Sequence, residues 1–412
     1  LMTERIVIVG AGEAGGRAAL ALRENGFAGA VALVGEEAHL PYERPPLSKA
    51  ALIDGDAPRP ATILTEERLA EHGIDHVAGA SALAIDRAAH RLALEDRDPL
   101  PYDRLLIATG ARARRLAVPG AGPDNVHYLR SFGEAAALRR RLSPGSRLVV
   151  IGGGFIGLEL AAAARARGAE ATVIEMAPRL LGRAVPADLA AVIAARHAAE
   201  GVAIIIGAAI ERIETLPDGR HRVVLAGRDP VDGDTIVAGI GAVPEAALAA
   251  EAGLALDNGI AVDTHLATSD PDIFAAGDCC SFPHALFGGR RLRLEAWRNA
   301  QDHGNAAAKS MLGLGEPYAA VPWFWSDHYD LTLQIAGLPD EGATTVSRPL
   351  AGDARLDFHL AGDGRLVGAS AVGPNGAIAR EVRLAEMLIG RRASPDPASL
   401  ADPAVKLKSL MV

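Results

Sequence analysis

Cysteine is almost absent from this chain of 412 residues: there are only two, Cys279 and Cys280, and they are adjacent. Adjacent cysteines can bond to each other only through a strained ring, so we expect no structural disulfide. The glycine-rich segments carry no C-x-x-C or C-x4-C pair, which is what a flavin–disulfide reductase uses to relay electrons. The sequence therefore excludes electron relay through a redox-active disulfide.

Aromatic residues and long apolar runs are also scarce, and acidic residues outnumber basic ones. Aromatic residues make up 4% of the chain and all hydrophobic residues 49%, which predicts a core of aliphatic side chains. The formal net charge of −9 argues against a nucleic-acid partner. No run of 18 apolar residues is present, so we predict no membrane span. A predicted strand within the first residues leads us to expect no signal peptide and a cytoplasmic location.

Two glycine-rich loops are the main positive feature of the sequence. The first runs from Gly10 to Gly15 and the second from Gly152 to Gly157, both with the spacing G-x-G-x-x-G. One such motif often occurs by chance. Here each loop follows a predicted strand and opens a predicted helix, which is the context that the dinucleotide-binding fingerprint requires.

An acidic residue follows each loop at the distance expected for a ribose contact. Glu36 lies 21 residues after Gly15, Glu175 lies 18 residues after Gly157, and each ends another apolar strand. A carboxylate in that position can accept hydrogen bonds from both ribose hydroxyls of a dinucleotide. Two such units predict two bound dinucleotides, which we interpret as a flavin and a nicotinamide.

The fold class predicted from this repeat is α/β, with two doubly wound dinucleotide-binding domains. A buried strand that ends at glycine occurs in both halves, at residues 105–110 and 234–241. After Pro317 the composition changes, and alternating strands with a helix at 376–390 predict a small C-terminal α/β domain.

The motifs together resemble the FAD-dependent, NADH-oxidising ferredoxin reductases of Rieske-type aromatic-ring dioxygenases and bacterial cytochrome monooxygenases, typified by biphenyl dioxygenase ferredoxin reductase and putidaredoxin reductase. The resemblance covers nearly the whole chain. It rests on the segments 42–49, 108–110, 152–159, 273–278, 295–301 and 322–327, of which the first and the last two are specific to this family. It implies a glutathione-reductase-like architecture: an FAD-binding domain at 1–112 and 241–319, an NAD-binding domain at 113–240, and a C-terminal domain at 320–412.

The first loop is implied to hold the FAD pyrophosphate, because helix N-terminal amides and missing Cβ atoms allow a close approach. Glu36 is expected at the AMP ribose and Arg44 at the pyrophosphate. Asp278 is implied to accept from the ribityl chain, although it could also cap a helix. The full set implied for FAD is Gly10, Gly12, Gly15, Glu36, Arg44, Lys49, Thr109, Gly110, Asp278 and Trp297.

Lys49 and Glu159 are implied to form an ion pair beside the isoalloxazine, where a cation can stabilise the anion left by hydride transfer. A buried lysine without a carboxylate would be unfavourable, so the pairing is physically reasonable. The alternative is two surface charges with separate partners. With Trp297, these two residues are the predicted catalytic residues.

The second loop is implied to bind NADH. A carboxylate at Glu175 repels the 2′-phosphate of NADPH, so we predict a preference for NADH. The set implied for the nicotinamide dinucleotide is Gly152, Gly154, Ile156, Gly157, Glu159, Glu175, Arg183 and Gly241. Glu245 stands where the family pattern has asparagine, which can alter a contact near the nicotinamide.

Two further groups of residues are candidates for electron transfer. Trp297, Trp323 and Trp325 can line the flavin on the side away from NADH, or simply pack at a domain junction. The arginines at 290, 291, 293 and 298 can form a basic patch for an acidic ferredoxin, or a solvated turn with unrelated charges.

The function expected from the resemblance is electron transfer from NADH, through FAD, to a [2Fe–2S] ferredoxin that feeds an oxygenase. The alternatives are a rubredoxin reductase, an NADH oxidase, and a redox-sensing interaction protein that resembles apoptosis-inducing factor. We expect a monomer or weak homodimer without a metal site.

Overall fold

The computed structural model describes residues 4–55, 58–182 and 185–411. The chain divides into two compact units, each assembled from separate segments. The first unit contains residues 1–44, 60–112 and 243–322, and the second contains residues 45–59, 113–242 and 323–412. The chain crosses from one unit to the other five times, after residues 44, 59, 112, 242 and 322.

A five-stranded parallel sheet forms the centre of the first unit. Its strands are, in spatial order, Ile273–Ala275, Arg104–Ile107, Arg5–Val9, Ala30–Gly35 and Ile74–Ala78. The central strand begins with Arg5 and continues as an apolar, β-branched run that is buried throughout. Such continuous apolar runs are typical of parallel strands covered on both faces.

Two small antiparallel elements complete the strands of this unit. One contains Ala82–Asp86, Arg91–Leu94 and Arg97–Pro101. In the other, Cys280–His284 lies between Ile260–Ala261 and Arg290–Leu292.

The longest helices of the first unit pack on each other through small residues. Its helices are Glu13–Glu24, Glu66–Glu71, Ala247–Glu251 and Trp297–Met311, with single turns of 3-10 helix at Gly277–Cys279 and Ala285–Phe287. A Cβ atom added to Gly304 would lie 2.6 Å from the backbone oxygen of Ala14. The absence of a side chain at Gly304 therefore lets the middle of the helix Trp297–Met311 pack against the first turns of the helix Glu13–Glu24.

The second unit contains a matching parallel sheet. Its strand order is Ala203–Ile206, Glu170–Glu175, Arg147–Ile151, Thr235–Ala238 and Val126–His127. An antiparallel sheet of Ile210–Thr215, His221–Leu225 and Val231–Gly233 joins it through a shared apolar core. The two parallel sheets confirm the predicted pair of doubly wound halves.

The C-terminal part of the second unit is a five-stranded antiparallel sheet. Its order is Trp323–His328, Leu331–Gly337, Leu366–Pro374, Arg355–Leu360 and Thr344–Pro349. The helices of the unit are Ala50–Ile53, Phe132–Arg141, Phe155–Ala166, Ala187–Ala199, Ala379–Gly390 and Pro397–Ala401, with 3-10 turns at Pro45–Ser48, Pro339–Glu341 and Leu407–Leu410. The predicted small C-terminal α/β domain is therefore present.

Candidate cofactor and catalytic sites

The first glycine loop follows the central strand of the first unit and is fixed by backbone contacts. Gly10 has a φ of +110°, and its N–H donates to the oxygen of Val34 at 2.8 Å. A Cβ atom at Gly10 would lie 2.1 Å from the oxygen of Ala108, and one at Gly15 would lie 1.8 Å from the oxygen of Gly10. A side chain at either position would overlap the backbone, so these two glycines are needed for the loop itself.

The second loop has the same construction in the second unit. Gly152 has a φ of +107° and donates to the oxygen of Ile174 at 2.8 Å. A Cβ atom at Gly152 would lie 2.4 Å from the oxygen of Gly239, and one at Gly157 would lie 2.1 Å from the oxygen of Gly152. The two loops therefore have matching geometry.

The middle glycine of each loop faces open space. A Cβ atom at Gly12 or Gly154 would meet no atom within 4 Å. Each of these residues is the N-cap of the following helix and has no side chain to accept from its first amides. Free amides at a helix N-terminus next to open space suit a pyrophosphate, so both loops fit a dinucleotide.

The acidic residue after the first loop is Glu36, which is exposed just after the strand Ala30–Gly35. Its neighbour Glu37 has a different role that the sequence did not reveal. Glu37 accepts from the hydroxyl of Tyr42 at 2.7 Å, and Arg44 donates to it at 3.1 Å. Arg44, predicted to face the pyrophosphate, is therefore ion-paired to a carboxylate of its own unit.

Glu13, in the first loop, is a second residue that sequence reasoning missed. Burial raises the pKa of its carboxyl to about 7, and the nearby charge of Glu43 adds to the effect. The indole of Trp297 and the amide of Gln301 are hydrogen-bonding neighbours that partly oppose this rise. Trp297 therefore lies at the first loop, in the first unit.

The other residues predicted for FAD lie at the ends of neighbouring strands. Thr109 follows the strand Arg104–Ile107 and donates to the oxygen of Glu245 at 2.6 Å, and Gly110 has a φ of +72°. Asp278 is half-buried in the 3-10 turn Gly277–Cys279. Strands Arg104–Ile107 and Ile273–Ala275 are paired in parallel, so these positions share the carboxyl edge of the sheet.

Cys279 and Cys280 are both fully buried, and neither forms a disulfide. Burial raises the pKa of both thiols, which keeps them protonated and poor nucleophiles.

Glu175, after the second loop, is held by two backbone amides. Its carboxylate accepts from the N–H of Gly153 and from the N–H of Ala177, each at 2.7 Å. A carboxylate has about four lone-pair sites, so acceptor capacity is left for a ribose. The nearby Arg179 donates to backbone oxygens of its own loop.

Three further positions were predicted for the nicotinamide dinucleotide. Gly241 has a φ of +105° and open space at its Cβ position, and Ile156 is 45% exposed. Arg183 lies outside the described residues.

Lys49 and Glu159 come together in the second unit although 110 positions separate them. The Nζ of Lys49 lies 3.5 Å from Oε1 of Glu159 and 3.1 Å from Oδ2 of Asp327. The Lys49 side chain is 24% exposed and that of Glu159 is 7% exposed. The structure thus gives the lysine a second carboxylate, Asp327, that was not predicted.

Two serines complete the surroundings of Glu159. Ser326 donates to its Oε1 at 2.6 Å, and Ser48 donates to its Oε2. Both serines are buried, so they satisfy a carboxylate that has little access to water.

Trp325 flanks the same cluster, whereas Trp297 belongs to the other unit. The Nζ of Lys49 lies 5.3 Å from the ring centroid of Trp325, and the indole N–H donates to Asp327 at 3.1 Å. Trp323 stacks on Trp325 with ring centroids 5.4 Å apart.

The arginines proposed as a docking patch are partly engaged within their own unit. Arg291 donates to the backbone oxygens of Val262 and Ser281, and Arg293 pairs with Glu295 at 2.6 Å. The Arg293 side chain is only 12% exposed. Their hydrogen bonds explain how this turn is held, and a docking role for it stays a prediction.

Within the described ranges, no group of three or more His, Cys, Asp or Glu residues is arranged to hold a metal ion. In the same part of the chain, no helix combines the length and apolarity that crossing a bilayer requires.

Comparison with known proteins gives matches over nearly the whole chain. Residues 4–304 match the family model described as pyridine nucleotide-disulphide oxidoreductase, and residues 323–411 match the model described as reductase C-terminal. The anthranilate 1,2-dioxygenase system ferredoxin–NAD(+) reductase component of Burkholderia cepacia is 41% identical over 413 residues, covering 100% of both chains.

Two solved structures have nearly the same fold. The ferredoxin reductase for the CYP199A2 system of Rhodopseudomonas palustris has a TM-score of 0.93 and 37% identity, with coverage of 99% of this chain and 100% of the other. The covalent putidaredoxin reductase–putidaredoxin complex has a TM-score of 0.92 and 34% identity, with coverage of 99% and 98%.

Proposed function

The chain belongs to the pyridine nucleotide-disulphide oxidoreductase family, and we propose that it passes electrons from NADH, through FAD, to a [2Fe–2S] ferredoxin that supplies an oxygenase. It is an NADH-dependent ferredoxin reductase that uses FAD, as its full-length likeness to ferredoxin–NAD(+) reductase components indicates.

The observation that carries the proposal is the pair of glycine loops with open space at their middle residues. Gly12 and Gly154 each leave room for a pyrophosphate at a helix N-terminus. We assign the first loop to FAD and the second to NADH. FAD supplies the conversion of a two-electron hydride donor into one-electron transfers.

In the first unit, the residues proposed to hold FAD are Gly10, Gly12, Gly15, Glu36, Thr109, Gly110, Asp278 and Trp297. Glu36 is exposed and able to accept from ribose hydroxyls. Arg44 is already ion-paired with Glu37, so to contact the pyrophosphate its guanidinium would have to bind both groups at once. We propose an FAD-binding domain at residues 1–112 and 241–319, an NAD-binding domain at 113–240 and a C-terminal domain at 320–412.

In the second unit, Glu175 is proposed to select NADH. Its two amide hydrogen bonds fix the carboxylate, so it cannot easily turn away from a 2′-phosphate. Displacing it would leave two backbone amides without their acceptor, which is unfavourable.

Lys49 and Glu159 are proposed as the residues that support hydride transfer. Lys49 would place a cation beside bound FAD, where it would stabilise negative charge on the flavin. Glu159 keeps that cation in place at 3.5 Å, while its own oxygens are held by Ser48 and Ser326. Asp327 adds a second anchor, so the lysine is restrained from two sides.

The identity of the electron acceptor is tested by measuring NADH consumption without an added acceptor, with [2Fe–2S] ferredoxins and with a rubredoxin. Oxygen consumption is measured under the same conditions. Turnover that depends strongly on a [2Fe–2S] ferredoxin is expected. Dependence on rubredoxin instead, or fast oxygen consumption indifferent to either protein, would contradict the proposed acceptor. Slow turnover with dimerisation on NADH addition would favour a redox sensor. We also propose that the protein is a monomer or weak homodimer in the cytoplasm.

The role of the Lys49–Glu159 pair is tested by anaerobic stopped-flow reduction of bound FAD by NADH. We expect Lys49→Ala and Glu159→Ala to slow this step by about 10²-fold, because a positioned charge is lost. Lys309→Ala, at an exposed lysine of the helix Trp297–Met311, is the matched control and should behave as wild type. Unchanged rates in both site variants would limit the pair to a structural role.

A further inference from the structure

The short turn Gly277–Cys279, which carries Asp278, packs directly against the first glycine loop. A Cβ atom added to Gly277 would lie 3.1 Å from the Cβ of Ala14, a residue of that loop. Gly277 also has a φ of +82°, a conformation that residues with a side chain rarely adopt. The backbone at Gly277 therefore sets the position of Asp278 relative to the loop.

Three buried side chains hold the backbone of this turn. Nδ1 of His303 accepts from the N–H of Gly277 at 3.2 Å. The Sγ of Cys280 lies 3.5 Å from the oxygen of Gly277, and the Sγ of Cys279 lies 3.3 Å from the oxygen of Ala276. All three side chains are fully buried. The two adjacent cysteines thus serve the turn as weak hydrogen-bond donors.

The bond from Gly277 fixes the state of the His303 ring. A backbone N–H can only donate, so Nδ1 of His303 carries no proton and the neutral ring is the Nε2–H tautomer. Burial lowers the pKa of His303 to about 3, so the ring stays neutral at pH 7. Because an S–H group is a weak donor, this imidazole–amide bond is the strongest of the three contacts.

The other side of the His303 ring packs among aromatic rings. Its ring centroid lies 4.6 Å from that of Phe282 and 4.5 Å from that of Tyr318, both in edge-to-face arrangements. Among the residues that the structure describes, Nε2 of His303 has no hydrogen-bond partner. An apolar side chain would fill this space without that unfavourable burial. The polarity of His303 is therefore used at the turn and not in the core.

The helix that carries His303 is itself held against the first loop. A Cβ atom on the next residue, Gly304, would lie 2.6 Å from the backbone oxygen of Ala14. One turn earlier, the side-chain amide of Gln301 lies 3.5 Å from Oε1 of Glu13. The helix Trp297–Met311 therefore contacts both the loop and the turn, and His303 is the residue through which it holds the turn.

We propose that His303 is a positioning residue for FAD: by holding the N–H of Gly277, it places the Asp278 carboxylate to accept from the ribityl chain. The inference rests on the proposed function, in which Asp278 is one of the residues that hold FAD. His303 acts through the backbone of the turn, because its own ring is fully enclosed by protein. Its loss should therefore weaken FAD binding through Asp278.

The affinity for FAD tests this role. It is measured by flavin fluorescence as FAD is added back to the full-length protein from which it has been removed. Asn can place its side-chain oxygen where Nδ1 of His303 stands, whereas Gln places its polar atoms nearer Nε2. We expect His303→Leu and His303→Gln to raise the Kd for FAD about tenfold, because a buried amide loses its acceptor. His303→Asn should stay near wild type.

A second buried histidine provides the matched control. His284 is also fully buried and packs on Tyr318, but its hydrogen bonds join Ala320 and Leu286. His284→Leu should lower the melting temperature and leave the Kd for FAD unchanged. If it weakened FAD binding as much as His303→Leu does, the effect would come from the aromatic core, and the inference would be wrong.

A double variant tests whether His303 acts through Asp278. Asp278→Ala should also raise the Kd for FAD, and adding His303→Leu to it should change the Kd little further, because both remove the same contact. Additive losses, or a loss in Asp278→Ala but not in His303→Leu, would overturn this inference alone. Wild-type affinity in Asp278→Ala would contradict the proposed FAD contact as well. The assay contains neither NADH nor ferredoxin, so it does not depend on the electron acceptor.

The wild-type protein gives a measurement that needs no variant. In full-length protein labelled with ¹⁵N-histidine, NMR should show His303 as a neutral Nε2–H tautomer, both with FAD bound and after its removal. The Gly277 amide should exchange slowly with solvent in both forms, because the bond is made within the protein. An Nδ1–H tautomer, or a charged ring, would show that His303 does not accept from Gly277 and would overturn the inference.

Discussion

The two glycine loops share a backbone geometry but differ at each of the positions between their glycines. Gly10 and Gly152 have φ values of +110° and +107°, and the middle glycines Gly12 and Gly154 both face open space. The residue after the middle glycine is Glu13 in one loop and Phe155 in the other. The glycine spacing therefore specifies a way to approach phosphate, and the neighbouring side chains adapt each loop to its own dinucleotide.

The side chains after the middle glycines show this most clearly. Glu13 is a half-buried carboxyl whose pKa burial raises to about 7, next to Trp297. Phe155 packs on Phe324, with ring centroids 4.3 Å apart, and so joins the second loop to the C-terminal sheet. One loop carries a titratable group at its helix start and the other carries an apolar contact.

The acidic residues that follow the two loops differ in how firmly their carboxylates are held. Glu36 is exposed, whereas both carboxylate oxygens of Glu175 accept backbone amides. A fixed carboxylate discriminates against a second negative charge better than a mobile one, because it cannot move aside without losing hydrogen bonds. This difference suits a retained FAD in one loop and a selected, exchanging NADH in the other.

Among variants that test the difference between the loops, alanine substitutions of the glycines should have the largest effects, and these effects are on stability. Gly15→Ala and Gly157→Ala place a Cβ 1.8 and 2.1 Å from a backbone oxygen, which should cost about 3 kcal/mol of stability. In Gly12→Ala and Gly154→Ala the new Cβ would meet no atom within 4 Å, and the two residues have ordinary φ values of −92° and −85°. The stability of these variants should therefore stay near that of wild type. Thermal unfolding measures the contrast.

Cofactor titrations on the same middle-glycine variants then assign the loops. Gly12→Ala should weaken the binding of FAD at least tenfold and leave the binding of NADH unchanged. Gly154→Ala should weaken the binding of NADH at least tenfold and leave the binding of FAD unchanged. If each variant bound both dinucleotides as wild type does, the open space would not be where the phosphates approach.

Coenzyme preference should respond to Glu175 but not to Glu36. Glu175→Gln removes the like charge that faces a 2′-phosphate, so the ratio of kcat/KM for NADH to that for NADPH should fall about tenfold. Glu36→Gln is the matched control in the other loop and should leave the ratio unchanged. A ratio insensitive to Glu175→Gln, or a wild-type enzyme that prefers NADPH, would contradict the assigned selectivity.

The smallest expected effect is the pH dependence that Glu13 contributes. Because its folded pKa, about 7, is above the ordinary value of 4.5, the folded state binds more protons than the unfolded state between these values. The contribution of Glu13 to the free energy of unfolding is therefore fully present below about pH 4.5 and is lost as the pH rises through 7. Glu13→Gln should raise the Tm at pH 8 by about 2 °C and make the Tm depend less on pH.

Melting curves of the FAD-loaded protein between pH 5 and 8 check this, with Glu36→Gln as the exposed control. A Glu13→Gln curve parallel to wild type would mean that Glu13 does not hold a proton in the folded protein.

The parts of the site that follow from local spacing could be predicted from the sequence. The strand, glycine loop and helix of each half lie within about 25 residues of sequence, and both loops have the geometry expected of them. The two doubly wound halves were expected from this repeat, although their sheets also join strands that are far apart in the sequence. The approach of Lys49 to Glu159 was expected only through resemblance to a family. No spacing rule would have joined two residues 110 positions apart.

Other parts of the site had no usable signal in the sequence. Glu13 looked like any residue at the variable position of its loop, and its raised pKa depends on burial beside Trp297 and Glu43. Asp327 became a partner of Lys49 because the C-terminal strand Trp323–His328 packs near the turn Pro45–Ser48 within one unit.

The sequence by itself determined where the backbone can approach a phosphate, since glycine spacing acts over one strand, one turn and one helix. Only the tertiary structure decided which polar side chains share the interior. His197 and His328 are 131 positions apart and form one hydrogen bond. That pairing arises because the helix Ala187–Ala199 and the strand Trp323–His328 are packed together, and a buried polar group must find its partner among whatever the fold brings within reach.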